Sequence, residues 1–291
     1  MNDGTHDPAR LVFIASLGRS GSTLLDLLLG AHPRIVGLGE VWKTLKLAAP
    51  EEGVNCTCGV DGYTCPIWGE VIARRRAEPD LPMADSYRQV IARARDVAGP
   101  EVVLVDSSKD LPVLRQVTDI MQKDFRVLFL LKDVRGYASS LADADGAPGE
   151  TFKNTLRRSN FLRALQWYQR NRAFAGYLRE SGLDFMQLGY EELCFRSELI
   201  LGKICDFAGV PFDGAMLSPT TSNSHILRGN PMRWDPTRRK AIIYDNRWFY
   251  RPRIQMLAAA LPFVFSWNTD NVYRNIGPAA ARAAHTGTTT A

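Results

Sequence analysis

Along this chain, short apolar runs alternate with longer segments in which apolar positions recur every three or four residues. The runs Leu11–Ala15, Glu101–Asp106 (EVVLVD) and Phe125–Leu131 predict strands buried on both faces, and Asp184–Leu188 (DFMQL) a further strand. Helical spacing covers Ser22–Ala31, Val41–Leu47, Ile67–Arg76, Asp85–Ala98, Leu111–Gln122 and Val134–Ala142. Thr151–Ser181 reads as one long helix carrying Leu156, Phe161, Leu165, Trp167, Phe174 and Leu178, and Glu198–Ala208 as another helix. Strands separated by helices predict an α/β fold of three layers, α/β/α, around a mostly parallel central sheet, with any ligand at the strand C-termini. No internal repeat or long linker interrupts this order. One domain is therefore expected over residues 1–278, with an insertion at about 51–68 and a disordered Ala/Thr-rich tail at 279–291. Asp143–Glu150 (DADGAPGE) reads as a flexible loop, a candidate lid.

The chemistry concentrates where the first strand meets the first helix, in LVFIASLGRSGSTLLDLLLGAHP, residues Leu11–Pro33. A helix start offers unpaired backbone N–H groups, reinforced by the positive end of the macrodipole. Gly18 and Gly21 permit close approach of an anion, Arg19 can pair with it bidentately, and Ser20, Ser22 and Thr23 add hydroxyls. The turn predicts a phosphate cradle. It is not the nucleoside-triphosphate version, because Gly21 is followed by serine and no lysine lies between Ala15 and Lys43. The dinucleotide GxGxxG pattern is also absent. The bland alternative is a Gly/Ser-rich turn without a ligand.

GRSGSTLLDLLLGAHP resembles the 5′-phosphosulfate loop of sulfotransferases that use 3′-phosphoadenosine 5′-phosphosulfate (PAPS). Phe125–Leu141, FRVLFLLKDVRGYASSL, resembles the 3′-phosphate segment of the same family, a strand followed by RDPR and a helix serine. Lys132 stands at the first arginine, Arg135 matches the second, and Ser140 falls at the serine. Lys132 departs from the pattern: it keeps the charge and loses the guanidinium fork. The resemblance implies a P-loop-NTPase-like sulfotransferase fold, close to bacterial-type members. It also implies PAPS as co-substrate, with adenosine 3′,5′-bisphosphate as the product. Arg19 and the Ser20–Thr23 amides are then expected on the 5′-phosphosulfate, and Lys132, Arg135 and Ser140 on the 3′-phosphate.

Transfer to a hydroxyl or amine needs a general base. The histidines are His6, His32, His225 and His285, with two near the chain ends and His32 in a helix stop, so a carboxylate or His225 is expected. Glu40, in VGLGEVW, is the chosen base, because the glycines before it put its carboxylate on a turn beyond the phosphate helix. Tyrosylprotein sulfotransferases carry a similar glycine–glutamate pair, and the resemblance implies the same role. A first-turn acid for the helix Val41–Leu47 is the alternative. Lys109 leaves the strand VVLVD after Ser107 and Ser108 and suits stabilisation of charge on the leaving group. By resemblance Tyr190, in GYEEL, contacts the nucleotide; otherwise it packs on the sheet edge. The segment SHILRGNPMRW (Ser224–Trp234) resembles the loop that closes over the nucleotide, with Arg228, Gly229 and Arg233 as candidate contacts. Surface arginines are the simpler reading of the same segment, and Trp248 reads as core.

Composition narrows the setting. In 291 residues, 45% are hydrophobic and 23% charged, with a formal net charge of +5, ordinary for a globular protein that handles an anion. Arg74–Arg76 lacks interleaved aromatics and reads as a solvated helix face, so no nucleic-acid partner is expected. No targeting segment or membrane-spanning run is evident, which makes a cytoplasmic enzyme the default expectation. Acceptor classes stay open: a small molecule, carbohydrate, lipid or peptide. A donor that already contains a good leaving group requires no metal in principle. A P-loop-like kinase, with Asp106 as its magnesium acid, and a non-catalytic nucleotide-binding module are the alternatives. Of five cysteines, Cys194 and Cys205 read as buried thiols. Cys56, Cys58 and Cys65, in NCTCGVDGYTCPIW, have no usual metal spacing and no obvious fourth ligand, so a reduced or singly disulfide-bonded surface insertion is expected, with metal left open.

Overall fold

The computed structural model describes residues 11–47, 55–122, 124–144, 159–235 and 239–276. Its sheet has the order β2–β3–β1–β4–β5, and every neighbouring pair is parallel. The strands are β1 (Leu11–Ser16), β2 (Ile35–Gly37), β3 (Val103–Asp106), β4 (Arg126–Leu131) and β5 (Phe185–Gly189). β2 was not expected. Three residues are too few to show a pattern, and pairing with β3 in the register Ile35↔Val103 supplies what propensity does not.

Alternation along β1 and β4 builds the layers. Leu11, Phe13 and Ala15 face one core with Val127, Phe129 and Leu131, while Val12 and Ile14 face the other with Leu128 and Leu130. The first core is closed by α4 (Met83–Ala98), α5 (Leu111–Met121), α7 (Asn160–Ser181) and α12 (Pro262–Val272), through Tyr87, Leu114, Trp167 and Val264. The second is closed by α1 (Ser22–Leu29) and α9 (Ser197–Ala208), through Leu25, Leu28, Ile200 and Ile204. This is the predicted three-layer α/β/α arrangement. Among the described residues no helix is long and apolar enough to cross a membrane.

The strand order also fixes where a ligand can sit. From β1 the chain passes to β2 and β3 on one side, then crosses to β4 on the other, so the turns after β1 and β4 open a crevice at the C-terminal edge. Around this frame lie α2 (Val41–Leu47), α3 (Gly69–Ala77), α6 (Val134–Ala144) and α8 (Tyr190–Phe195), then α10 (Pro252–Gln255) and α11 (Leu257–Ala260). α8 and α10–α12 were not predicted. They are short, or begin at prolines within apolar stretches that have no clear period. The predicted tail, residues 145–150 of the candidate lid, and 151–158 of the long helix lie outside the described residues.

Candidate functional site

The turn after β1 is built as a cradle. Gly21 has φ 94° and Arg19 φ 73°, so two left-handed residues bend the chain within three positions. The Ser20 amide donates to the Leu17 carbonyl at 3.3 Å, and α1 starts at Ser22 with its first-turn amides lacking intrahelical acceptors. Ser20, Ser22 and Thr23 are buried, while Gly18 and Arg19 are exposed. Gly21 is required twice over: a Cβ there would lie 2.4 Å from Cδ2 of Tyr190. Tyr190, at the start of α8, thus packs against the turn. Its hydroxyl accepts from the Asp245 amide at 3.2 Å.

Asp26, which the sequence did not single out, joins this turn to the next two strand ends. It is fully buried in α1, and its Oδ2 accepts from the Gly39 amide at 3.1 Å and the Ser107 hydroxyl at 2.7 Å. Burial pushes its carboxyl up to about 7, against the lowering by those two hydrogen bonds. Its Oδ1 has no hydrogen-bond partner and faces Gly37, where a Cβ would lie 1.9 Å away. The same loops are stitched further by Ser107 N–H to the Gly39 carbonyl at 2.8 Å and Trp42 N–H to the Ser108 hydroxyl at 2.8 Å. Asp106, raised by burial to about 6, accepts from the Ser108 amide and the Tyr87 hydroxyl, each at 2.7 Å.

This stitching brings Glu40 and Lys109 together. The Lys109 ammonium donates to Glu40 Oε1, with both side chains nearly buried. Lys109 itself has φ 70°, a strained left-handed backbone for a non-glycine. Lys43 approaches the other oxygen at 3.7 Å from solvent. Glu40 joins α2 through its carbonyl, which accepts from Thr44 N–H at 3.0 Å, while its carboxylate turns to Lys109.

Across the crevice, Lys132 is almost fully buried, 3.2 Å from Asp245 and 4.5 Å above the centre of the Tyr190 ring. Arg135 forks onto Asp133 through Nε at 2.8 Å and Nη2 at 2.7 Å, and stacks 4.0 Å over Trp248, which is core as expected. Asp133 also accepts from Asn268 and Tyr273, each at 2.9 Å. Against the penalty of burial, Arg135 holds Asp133 below the usual carboxylate range. Neighbouring Glu191 accepts from the Asp133 amide at 3.0 Å and is pushed up to about 8 by burial and then by Asp133. Ser140 is buried nearly two turns along α6.

The segment 224–234 completes the enclosure. The His225 amide donates to the Gly37 carbonyl at 2.6 Å, and Gly39 lies so close to Ile226 that a Cβ would meet its Cγ2 at 2.7 Å. The Asn230 amide reaches Thr23 Oγ1 at 3.4 Å, so this loop touches the phosphate turn. Arg233 donates to the carbonyls of Leu227 (3.2 Å) and Gly229, bracing the bend at Gly229, while Arg228 is half-buried beside it. The predicted residues therefore fall into two groups across one crevice: Arg19 to Thr23, Glu40 and Lys109 on the β1–β3 side, and Lys132, Arg135, Ser140 and Tyr190 on the β4–β5 side. Arg228, Gly229 and Arg233 roof the first.

Residues 11–214 match the family model described as the sulfotransferase family. Two solved structures share the fold over most of their length. The sulfotransferase domain from the Synechococcus PCC 7002 olefin synthase is 22% identical, covering 88% of this chain and 96% of that one, with a TM-score of 0.51. The sulfotransferase domain from the curacin biosynthetic pathway is 18% identical, covering 88% and 98%, with a TM-score of 0.51. No curated protein matches the sequence.

Proposed function

Since the chain belongs to the sulfotransferase family, we propose that it moves a sulfuryl group from PAPS to a hydroxyl or amine of an acceptor. The observation that carries this reading is the Glu40–Lys109 pair, held by Asp26 and Ser107 beside the phosphate turn. The turn amides and Arg19 bind the 5′-phosphosulfate. Lys132 binds the 3′-phosphate, exchanging Asp245 for it, with Ser140 and the Arg135 guanidinium, oriented by Asp133, beside it. Tyr190 supports the nucleotide from the turn side, and the loop through Arg228, Gly229 and Arg233 covers it.

In this mechanism Lys109 exchanges Glu40 for the bridging oxygen of the donor. The freed Glu40 carboxylate takes the acceptor proton as the acceptor oxygen or nitrogen forms its bond to sulfur. The bond from sulfur to the 5′-phosphate oxygen breaks with its electron pair, and Lys109 stabilises the charge that collects there. A positioned base contributes roughly 10²–10⁴-fold. Glu40→Gln should therefore lower turnover by about that factor, measured as labelled sulfuryl transfer to a panel of phenols, sugars, lipids and peptides. Affinity for adenosine 3′,5′-bisphosphate should stay within about twofold. Equal loss of turnover and affinity would remove Glu40 from the role of base. Calorimetric preference for ATP–magnesium over the bisphosphate would replace sulfuryl by phosphoryl transfer. Bisphosphate binding with no transfer to any acceptor would leave a binding module.

A further inference from the structure

The sequence presented three cysteines without a fourth ligand. The fold supplies one from 160 residues further along: Nδ1 of His225 lies 3.3 Å from Cys65 Sγ. Cys65 Sγ is 3.6 Å from Cys56 Sγ and 3.9 Å from Cys58 Sγ, and one atom from each of the four residues falls within a sphere of mutual separations no larger than 4.8 Å. We propose that Cys56, Cys58, Cys65 and His225 form a structural zinc site that clips the cysteine insertion to the loop roofing the phosphate turn.

Tetrahedral zinc with Zn–S of about 2.3 Å and Zn–N of about 2.05 Å places its sulfurs about 3.8 Å apart and sulfur from nitrogen about 3.6 Å apart. The observed separations bracket or approach these values. They are far from the roughly 2.05 Å of a disulfide, and all five cysteines are free thiols in the structure. The local backbone is shaped for thiolates. Gly59, with φ 95°, and the bonds Cys56 N–H to Val60 O at 2.7 Å and Gly59 N–H to Cys56 O at 2.9 Å make a tight knuckle. His225 is fixed from behind, because its carbonyl accepts from the Trp68 indole at 2.7 Å. Thr57 adds a second tie, donating to the Ser224 carbonyl and accepting from the Ile226 amide at 2.8 Å. Four protein ligands leave no open position, which marks a structural site and not a catalytic one. The site stands independently of the donor and the acceptor.

The test uses the full chain, reduced and exposed to zinc, then dialysed and analysed by elemental mass spectrometry. About one zinc per chain is expected, and cobalt in its place should give the intense visible bands of a tetrahedral thiolate site. The double variant Cys56→Ser/Cys65→Ser and the single variant His225→Ala should each lower zinc content at least about tenfold, while Cys194→Ser, outside the cluster, retains it. Should the ligand variants fail to fold, the wild-type cobalt spectrum decides alone. Less than about a tenth of an equivalent of zinc in the wild type, or cobalt bands typical of octahedral oxygen ligation, would overturn the proposal. So would a disulfide among the three cysteines after purification without oxidant, or equal zinc loss in Cys194→Ser.

Discussion

Asp26 and Asp133 sit wholly buried at the same edge of the same sheet, and each ties its own segment to residues far along the chain, yet their partners leave them with opposite titration. Asp26 meets only neutral donors, the Gly39 amide and the Ser107 hydroxyl, and is pushed up to about 7. Asp133 meets the fork of Arg135 together with Asn268 and Tyr273, and is held down. The difference shows two ways to brace a nucleotide crevice. The side carrying Glu40 and Lys109 hangs on a carboxyl that changes charge near neutrality. The side carrying Lys132 hangs on a fixed ion pair.

The largest effect should come from breaking the fixed pair. Asp133→Ala leaves the Arg135 guanidinium partly buried without its fork and removes the acceptor for Asn268 and Tyr273. A loss of about 3–5 kcal/mol in denaturant unfolding is expected. A loss under about 1 kcal/mol would mean that stacking on Trp248, and not charge, anchors this side.

Next comes pH. A carboxyl whose folded value lies above its unfolded one binds its proton more tightly when folded, so its stabilising contribution is complete below pH about 4 and is lost as pH rises through about 7. Asp106 and Glu191, raised to about 6 and about 8, act in the same direction. The informative quantity is therefore wild type minus Asp26→Asn, which should fall by up to about 4 kcal/mol between pH 4 and 8 in urea melts at each pH. Asp133, held low, contributes in the opposite sense and loses its contribution on acidification. A flat difference curve would erase the contrast between the two sides.

How much of this was legible follows the range of the interactions. β1, β3, β4 and β5 were readable because each is a local apolar run, and the turn at Gly18–Thr23 because its chemistry lies within eight residues. Lys132 and Arg135 were readable as cations near one strand end. That Arg135 forks onto Asp133 was not, since that depends on Asn268 and Tyr273 packing from α12 and its end. Asp26 looked like one polar residue in an apolar helix; its partners, 13 and 81 residues away, gave it no local signal. From sequence His225 reads as a candidate base, and its place beside Cys65 depends on a loop 160 positions distant. Pairings of that span leave no periodicity to read.

The finest prediction concerns a place where side chains of the two sides meet above the β1–β4 pairing. Gly21 belongs to the β1 turn, and Tyr190 belongs to the end of β5, with the Lys132 ammonium resting on its ring. Gly21→Ala imposes a left-handed alanine and drives a methyl into that ring, at a combined cost of about 2–3 kcal/mol. The backbone part of that cost remains whatever Tyr190 becomes, whereas the steric part vanishes if the ring is gone. In a double-mutant cycle with Tyr190→Ala, the pair should therefore cost about 1 kcal/mol less than the sum of the singles. Additivity within about 0.3 kcal/mol would show that the ring yields freely and that the two sides of the crevice are braced independently. A coupling of the expected sign would make Tyr190 the strut through which the turn senses Lys132, since a ring displaced by the methyl also loses its face to the ammonium.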